Sequence, residues 1–285
     1  MPDLRPLPSV TLCADDFGMS EGVSGTIADL ARRQCVNAIS CMAAMPRWAE
    51  DARLLDGIER VTCGALGPVQ VGLHLVLASE RPMGPMNFTV ADGRLPGPDR
   101  MLALTLLGRV NMGEVAAEIE RQFAAFHAAR GCVPDFVDAH QHVHLYPGIR
   151  QLVIAATLRH APNAWVRVPG DRLPAMLARP HRAKAIGSAV HALGLRRQLK
   201  HAGLRCNRSF AGHYDFAGDF RDKLGSFLRF GSRAHLVMCH PGTGSAEEDG
   251  IANARRTEAA VIGEMTLEER VHNSARPRSG VLVHG

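Results

Sequence analysis

VTLCADDFGMSEGV, residues 10–23, runs an apolar stretch straight into two adjacent carboxylates and then a glycine turn. The letters ahead of Asp15 suit a strand covered on both faces. Ser20 is a good N-cap for a helix over 20–33. A strand, a polar turn and a capped helix make one βα unit, and that unit recurs along the chain. The first strand is expected at 9–14 and others at 38–45, 69–77, 135–140, 164–169, 205–211 and 234–239. Helices are expected at 46–56, 113–129, 147–160, 181–202, 215–229 and 252–265. Pro46 suits a first helical turn, and Val115, Ile119, Phe123 and Phe126 share one stripe at helical spacing. The alternation predicts an α/β fold, a barrel or a doubly wound sheet, and the strand count favours a distorted (β/α) barrel of about seven parallel strands.

The composition narrows the class. Hydrophobic residues make up 46% of the 285-residue chain and charged residues 21%, enough for a large core. The net charge of +5 suits an anionic surface or substrate without requiring nucleic acid, and no nucleic-acid partner is expected. Seven cysteines without a CxxC read as reduced, structural thiols in a cytoplasm-like compartment. No leader pattern opens the chain, and no apolar run reaches the roughly 18 residues of a membrane span. We expect one domain over 1–285, with its core at 9–265, an insertion at 80–110 and a frayed tail at 274–285. The segment 172–208 is basic and lacks acids. Arg179, Arg182, Lys184, Arg196, Arg197 and Lys200 make a solvated helix face or, across 179–208, a contact with an anionic membrane. A homodimer stays open.

The polar letters collect where the strands end, which is where parallel α/β folds place their chemistry. Asp15 and Asp16 close the first strand, and two neighbouring carboxylates need water, a proton or a cation. His74 lies in the third strand, Arg167 in the fifth and His240 at the end of the seventh. Asp138-Ala-His140-Gln-His142-Val-His144 follows the fourth. Continued as a strand, this run would put Asp138, His140, His142 and His144 on one face. Singly, each feature has a plain reading: a helix cap, a hydrogen-bonded core histidine, an ion pair. Together, imidazoles and carboxylates at five strand ends point to one divalent cation, Zn²⁺, Mg²⁺ or Mn²⁺. Spacing alone does not say which clustered histidine would bind it.

ADDFGMSEGV (14–23), VGLHLVL (71–77), VPDFVDAHQHVHLYP (133–147) and VMCHPG (237–242) resemble the YdjC-like (ChbG/HpnK) carbohydrate deacetylases. The resemblance spans roughly 9–265. It implies a distorted barrel that removes acetyl groups from an N-acetylated sugar, oligosaccharide or glycolipid, hopanoid-linked ones included, with a divalent metal. By resemblance, Asp16, His74 and His140 would hold the metal, Asp15 would be the general base and His240 the general acid. Arg167 would lie near the base or the substrate, and Asp138, His142 and His144 would support the ligands from behind. A metal-dependent phosphoesterase and a non-catalytic sugar- or lipid-binding barrel stay as alternatives. A different deacetylase family with an aspartate pair and an H-x-x-x-H motif, matched by His140 and His144, ranks lower because it leaves His74 without a role.

Overall fold

The computed structural model describes residues 7–170, 182–229, 233–244 and 249–275. Eight parallel strands curl into a distorted barrel with helices around it. They are β1 (Val10–Phe17), β2 (Ala38–Cys41), β3 (Gln70–Leu75), β4 (Phe136–Ala139), β5 (Trp165–Val166), β6 (Arg205–Cys206), β7 (Ser209–Ala211) and β8 (His235–Cys239). Their order is β6-β5-β4-β3-β2-β1-β8-β7. The strands are short and mostly buried, which is why they read as near-continuous apolar runs.

The run expected as one strand, 205–211, is two. Its first half pairs with β5 and its second with β8. The two edges of the sheet are therefore consecutive in the chain, separated only by Asn207 and Arg208. The Asn207 amide lies in this seam and also donates to Ser209 C=O of β7 at 3.0 Å. Its Oδ1 accepts from Val168 N–H at 2.7 Å and its Nδ2 donates to Val168 C=O at 2.9 Å. Arg208 N–H then bonds Ala234 C=O at 2.9 Å, on the other edge.

The helices are α1 (Glu21–Arg32), α2 (Trp48–Asp51), α3 (Pro98–Leu106), α4 (Met112–Arg130), α5 (Ile149–His160), α6 (Arg182–Ala202), α7 (Phe220–Arg229), α8 (Ala252–Ile262) and α9 (Leu267–Ala275). Ser20 caps α1 as its sequence implies, accepting from Val23 N–H at 3.3 Å. The helix expected over 46–56 is one turn of α-helix followed by a 3₁₀ turn. Helix α9 lies beyond the expected core and docks through Leu267 N–H to Gln34 C=O at 2.8 Å. The expected insertion 80–110 contributes α3. Among the described residues, no helix is long and apolar enough to cross a membrane. Most of the expected tail, 276–285, lies outside the described residues, as does Arg179.

The histidine run departs from its expected geometry. Strand β4 stops at Ala139, where β3 also ends its pairing. Without a partner ladder the chain winds into a 3₁₀ turn over His140–Leu145, with Gln141 and His142 in the left-handed region (φ 55° and 59°). The four polar residues from Asp138 to His144 therefore do not share one strand face.

Candidate active site at the strand ends

The site begins with a distortion in β1. Adjacent side chains of a regular strand point to opposite faces. Here the pairing with β2 slips between Ala14 and Phe17, and Asp16 takes φ 68°, a conformation uncommon for a side chain other than glycine. Both aspartates thereby reach the same end of the barrel, each about 1% exposed. Gly18 completes the turn at φ 99°, where an added Cβ would lie 3.1 Å from Met42 O.

Asp16 divides its oxygens. Oδ1 accepts from His140 Nδ1 at 3.0 Å and lies 3.5 Å from His74 Nε2, while Oδ2 accepts from Arg255 Nη2 at 2.7 Å. His74 Nδ1 donates to Asp138 Oδ1 at 2.6 Å, and the Ser40 hydroxyl donates to that oxygen at 2.6 Å. Burial works against charge on His74, but Asp138 and the two aspartates of β1 outweigh it and raise its pKa to about 10. Burial also opposes charge on Asp16, yet Arg255 and His140 hold its carboxyl well below the usual range.

Asp15 sits in a different setting. Both its oxygens accept from Arg167, each at 2.6 Å. Arg167 Nη2 also lies 2.7 Å from Asp138 Oδ2 and donates to Cys13 Sγ at 3.1 Å. Although Arg167 is fully buried, Asp138 and Asp15 keep it charged. Despite the burial that would raise it, the Asp138 carboxyl is lowered to about 2 by Arg167 and His74.

Six residues singled out from the sequence thus meet: Asp15, Asp16, His74, Asp138, His140 and Arg167. His240 lines the same cleft, with its ring 5.5 Å from Phe216. Its backbone N–H donates to Glu258 Oε2 at 2.5 Å, and Tyr214 OH donates to Oε1 of that carboxylate. Burial pushes the His240 imidazole down to about 4, so it is neutral near pH 7. His142 also lines the cleft, packed edge-on against Phe210 and His213. His144 is fully buried and donates through Nε2 to Arg167 C=O at 2.9 Å. These last two take positions beside the cluster rather than on its ligand atoms.

Sequence reading missed Arg255, Ser40, Cys13 and the Tyr214–Glu258 pair. Ser40, a lone hydroxyl inside the apolar run of β2, was the one faint signal. Arg255 is an ordinary letter in an ordinary helix, and only the fold brings it to Asp16.

Two groups of potential metal-binding atoms occur among the described residues. In each, one atom per residue lies within 4.8 Å of the others: Asp16, His74 and His140, and Cys13, Asp15 and Asp138. The first fits a divalent cation. It pairs one carboxylate oxygen with two imidazoles, and His74 is oriented by a carboxylate behind it. The second is filled by the Arg167 guanidinium. The cleft above them, about 470 Å³, is walled by Pro98, Asp99 and Leu102 of α3, Tyr146, His191 of α6 and Phe216. No Lys or Arg lines it among the described residues.

Comparison with known proteins gives a consistent pattern. A family model described as YdjC-like protein matches residues 9–273. Chitooligosaccharide deacetylases of Yersinia pestis (strain Pestoides F) and Yersinia pseudotuberculosis (serotype O:1b, strain IP 31758) are each 26% identical over 271 residues. Each match covers 90% of this chain and 92% of the relative. A crystal structure from Enterococcus faecalis V583, provisionally described as that of a cellobiose-phosphate cleavage protein, superposes with a TM-score of 0.70 at 18% identity. It covers 93% of this chain and 94% of its own, a likeness of fold.

Proposed function

The chain belongs to the YdjC-like protein family, and we propose that it is a metal-dependent hydrolase removing the N-acetyl group from an N-acetylglucosamine-type sugar, oligosaccharide or glycolipid. One observation carries this reading: Asp15 and Asp16 are inequivalent. Asp16 turns an oxygen toward two imidazoles, and Asp15 lines the cleft while clamped by a guanidinium. The names of the Yersinia relatives support an N-acetylated sugar as substrate. We read 1–285 as one catalytic domain whose 80–110 insertion walls the cleft.

Asp16, His74 and His140 would hold the cation; two imidazoles and one carboxylate suit Zn²⁺ or a similar borderline ion, with Mg²⁺ and Mn²⁺ as alternatives. A cation bound there polarises the acetyl carbonyl and lowers the pKa of a water. The chain's own groups do the rest. Asp15 accepts the proton of the attacking water. Arg167 holds both Asp15 oxygens in place, and each oxygen keeps a lone pair for that proton. His240 gives a proton to the nitrogen as the C–N bond breaks, so acetate and a free amine leave. Because His240 is neutral in the free protein, the proton it gives is the one that Asp15 takes from the water, passed on within the cleft as negative charge develops on the carbonyl oxygen, so the water's proton ends on the amine and Asp15 is restored. Tyr146 and Phe216 offer faces for a sugar ring.

The phosphoesterase reading has less support. It usually calls for a second metal about 3.5–4 Å from the first, and the neighbouring acidic group already holds Arg167. A non-catalytic barrel would have no use for Asp15 and His240 in one cleft. Membrane contact through 179–208 loses Arg196, whose Nη1 donates to Asn207 C=O at 2.9 Å; Arg197 and Lys200 are exposed.

Acetate release tests the proposal, using N-acetylglucosamine oligomers and N-acetylglucosaminyl lipids, hopanoid-linked ones among them, with and without divalent metal. Release should disappear on chelation and return with metal. Asp15→Asn should lower turnover by about 10²–10⁴-fold with metal still bound. Release that survives thorough chelation would sink the metal reading.

A further inference from the structure

Resting on the metal-dependent reading above, we infer that Arg255 is a positioning residue that restricts Asp16 to ligation through one oxygen. Arg255 lies in α8, 2% exposed. Its Nη2 takes Asp16 Oδ2 at 2.7 Å, and its Nε is anchored on Asp249 Oδ2 at 2.7 Å. Nη2 also contacts Met19 Sδ at 3.2 Å, on the turn that follows Asp16. Arg255 C=O accepts from Gly242 N–H at 3.2 Å, two residues past His240. One side chain and its backbone thus tie the turn after β1 to the loop after β8.

The geometry matters because a carboxylate can chelate a cation through both oxygens. With Oδ2 held by a fixed guanidinium, only Oδ1 faces the imidazoles. A one-oxygen ligand leaves more of the coordination sphere for water and the acetyl oxygen, which a hydrolytic site needs. The permanent positive charge beside Asp16 also weakens the attraction for a divalent ion. Arg255 therefore trades cation affinity for an open, oriented site. A purely structural ion pair predicts the opposite on removal, with affinity and stability falling together.

The experiment is calorimetric titration of the purified full-length protein with Zn²⁺ and Mg²⁺, alongside acetate release and thermal melting. Arg255→Gln should bind the cation about tenfold more tightly, since one nearby positive charge has gone, while turnover falls. Equal or weaker binding in a folded Arg255→Gln protein overturns the inference and leaves the metal reading intact. A wild-type protein that binds no divalent cation overturns the metal reading itself. Should Arg255→Gln fail to melt cooperatively, Arg255→Lys decides. It keeps the charge but cannot hold Asp16 and Asp249 at once. Near-wild-type affinity with turnover lowered severalfold supports the role, and unchanged turnover or weakened affinity refutes it.

Discussion

Asp15 and Asp16 are chain neighbours, equally buried, and each belongs to a three-donor group of similar size. Around Asp15 the counter-charge is permanent, a guanidinium shared with Asp138 and Cys13. Around Asp16 a guanidinium, Arg255, holds one oxygen only, and two imidazoles face the other, where the counter-charge depends on protons or on a cation that could replace them. A fixed cation keeps a buried carboxylate in register whatever protons or ions are present. An exchangeable one leaves a place where chemistry can be loaded. The difference teaches that burial alone does not mark a metal site: both groups are buried and both touch a guanidinium, but Arg255 takes only the far oxygen of Asp16 and leaves the one that faces the imidazoles to a cation.

The largest expected effect breaks the fixed half. Arg167→Met leaves Asp15 and Asp138 buried without their cation, and should cost about 3–5 kcal/mol of stability. Urea unfolding of metal-free protein measures this, and a cost below about 1 kcal/mol would mean that Arg167 does not hold the Asp15 half together. Next comes the residue they share. Asp138 gives one oxygen to His74 and the other to Arg167. Asp138→Asn should lower metal affinity about 10–100-fold, by loosening His74 from behind. Affinity left at the wild-type value would show that His74 needs no support. The smallest effect is a slope. A proton on His74 competes with the cation, and its folded-state pKa is about 10. Metal affinity should rise about tenfold per pH unit through neutrality, because binding releases that proton. The stability sign follows. A pKa raised above the ordinary histidine value of 6.5 stabilises the metal-free protein fully below pH 6.5, and that stabilisation is lost as the pH rises toward 10. Melting curves of metal-free and metal-loaded protein at pH 6, 8 and 10 check it. The same slope in both states would separate His74 from the metal.

Much of the barrel was legible because parallel strands buried on both faces leave unmistakable apolar runs, as in VTLCA and HLVMC. The seam at Asn207 was not, since RCNRSFA carries no letter that says its halves face different partners. The cluster was legible through Asp15, Asp16, His74, His140 and His240, because polar residues at strand ends are conspicuous. The alternation after Asp138 misled. It has strand period, but extended backbone needs a neighbouring ladder, and β3 stops at Leu75. Arg255 was illegible for a different reason: it meets Asp16 across 239 residues, and nothing local in its helix marks an inward-facing arginine.

The seam at Asn207 has a mechanical meaning. Along most of the wall, strand is stitched to strand by backbone, but here two bonds from one side-chain amide stand in for a rung. Arg167 sits beside Val168 on one lip, while β8, on the other side, leads into His240. Val168 directly follows Arg167, so the amide that closes the seam also fixes the backbone of the residue that clamps Asp15.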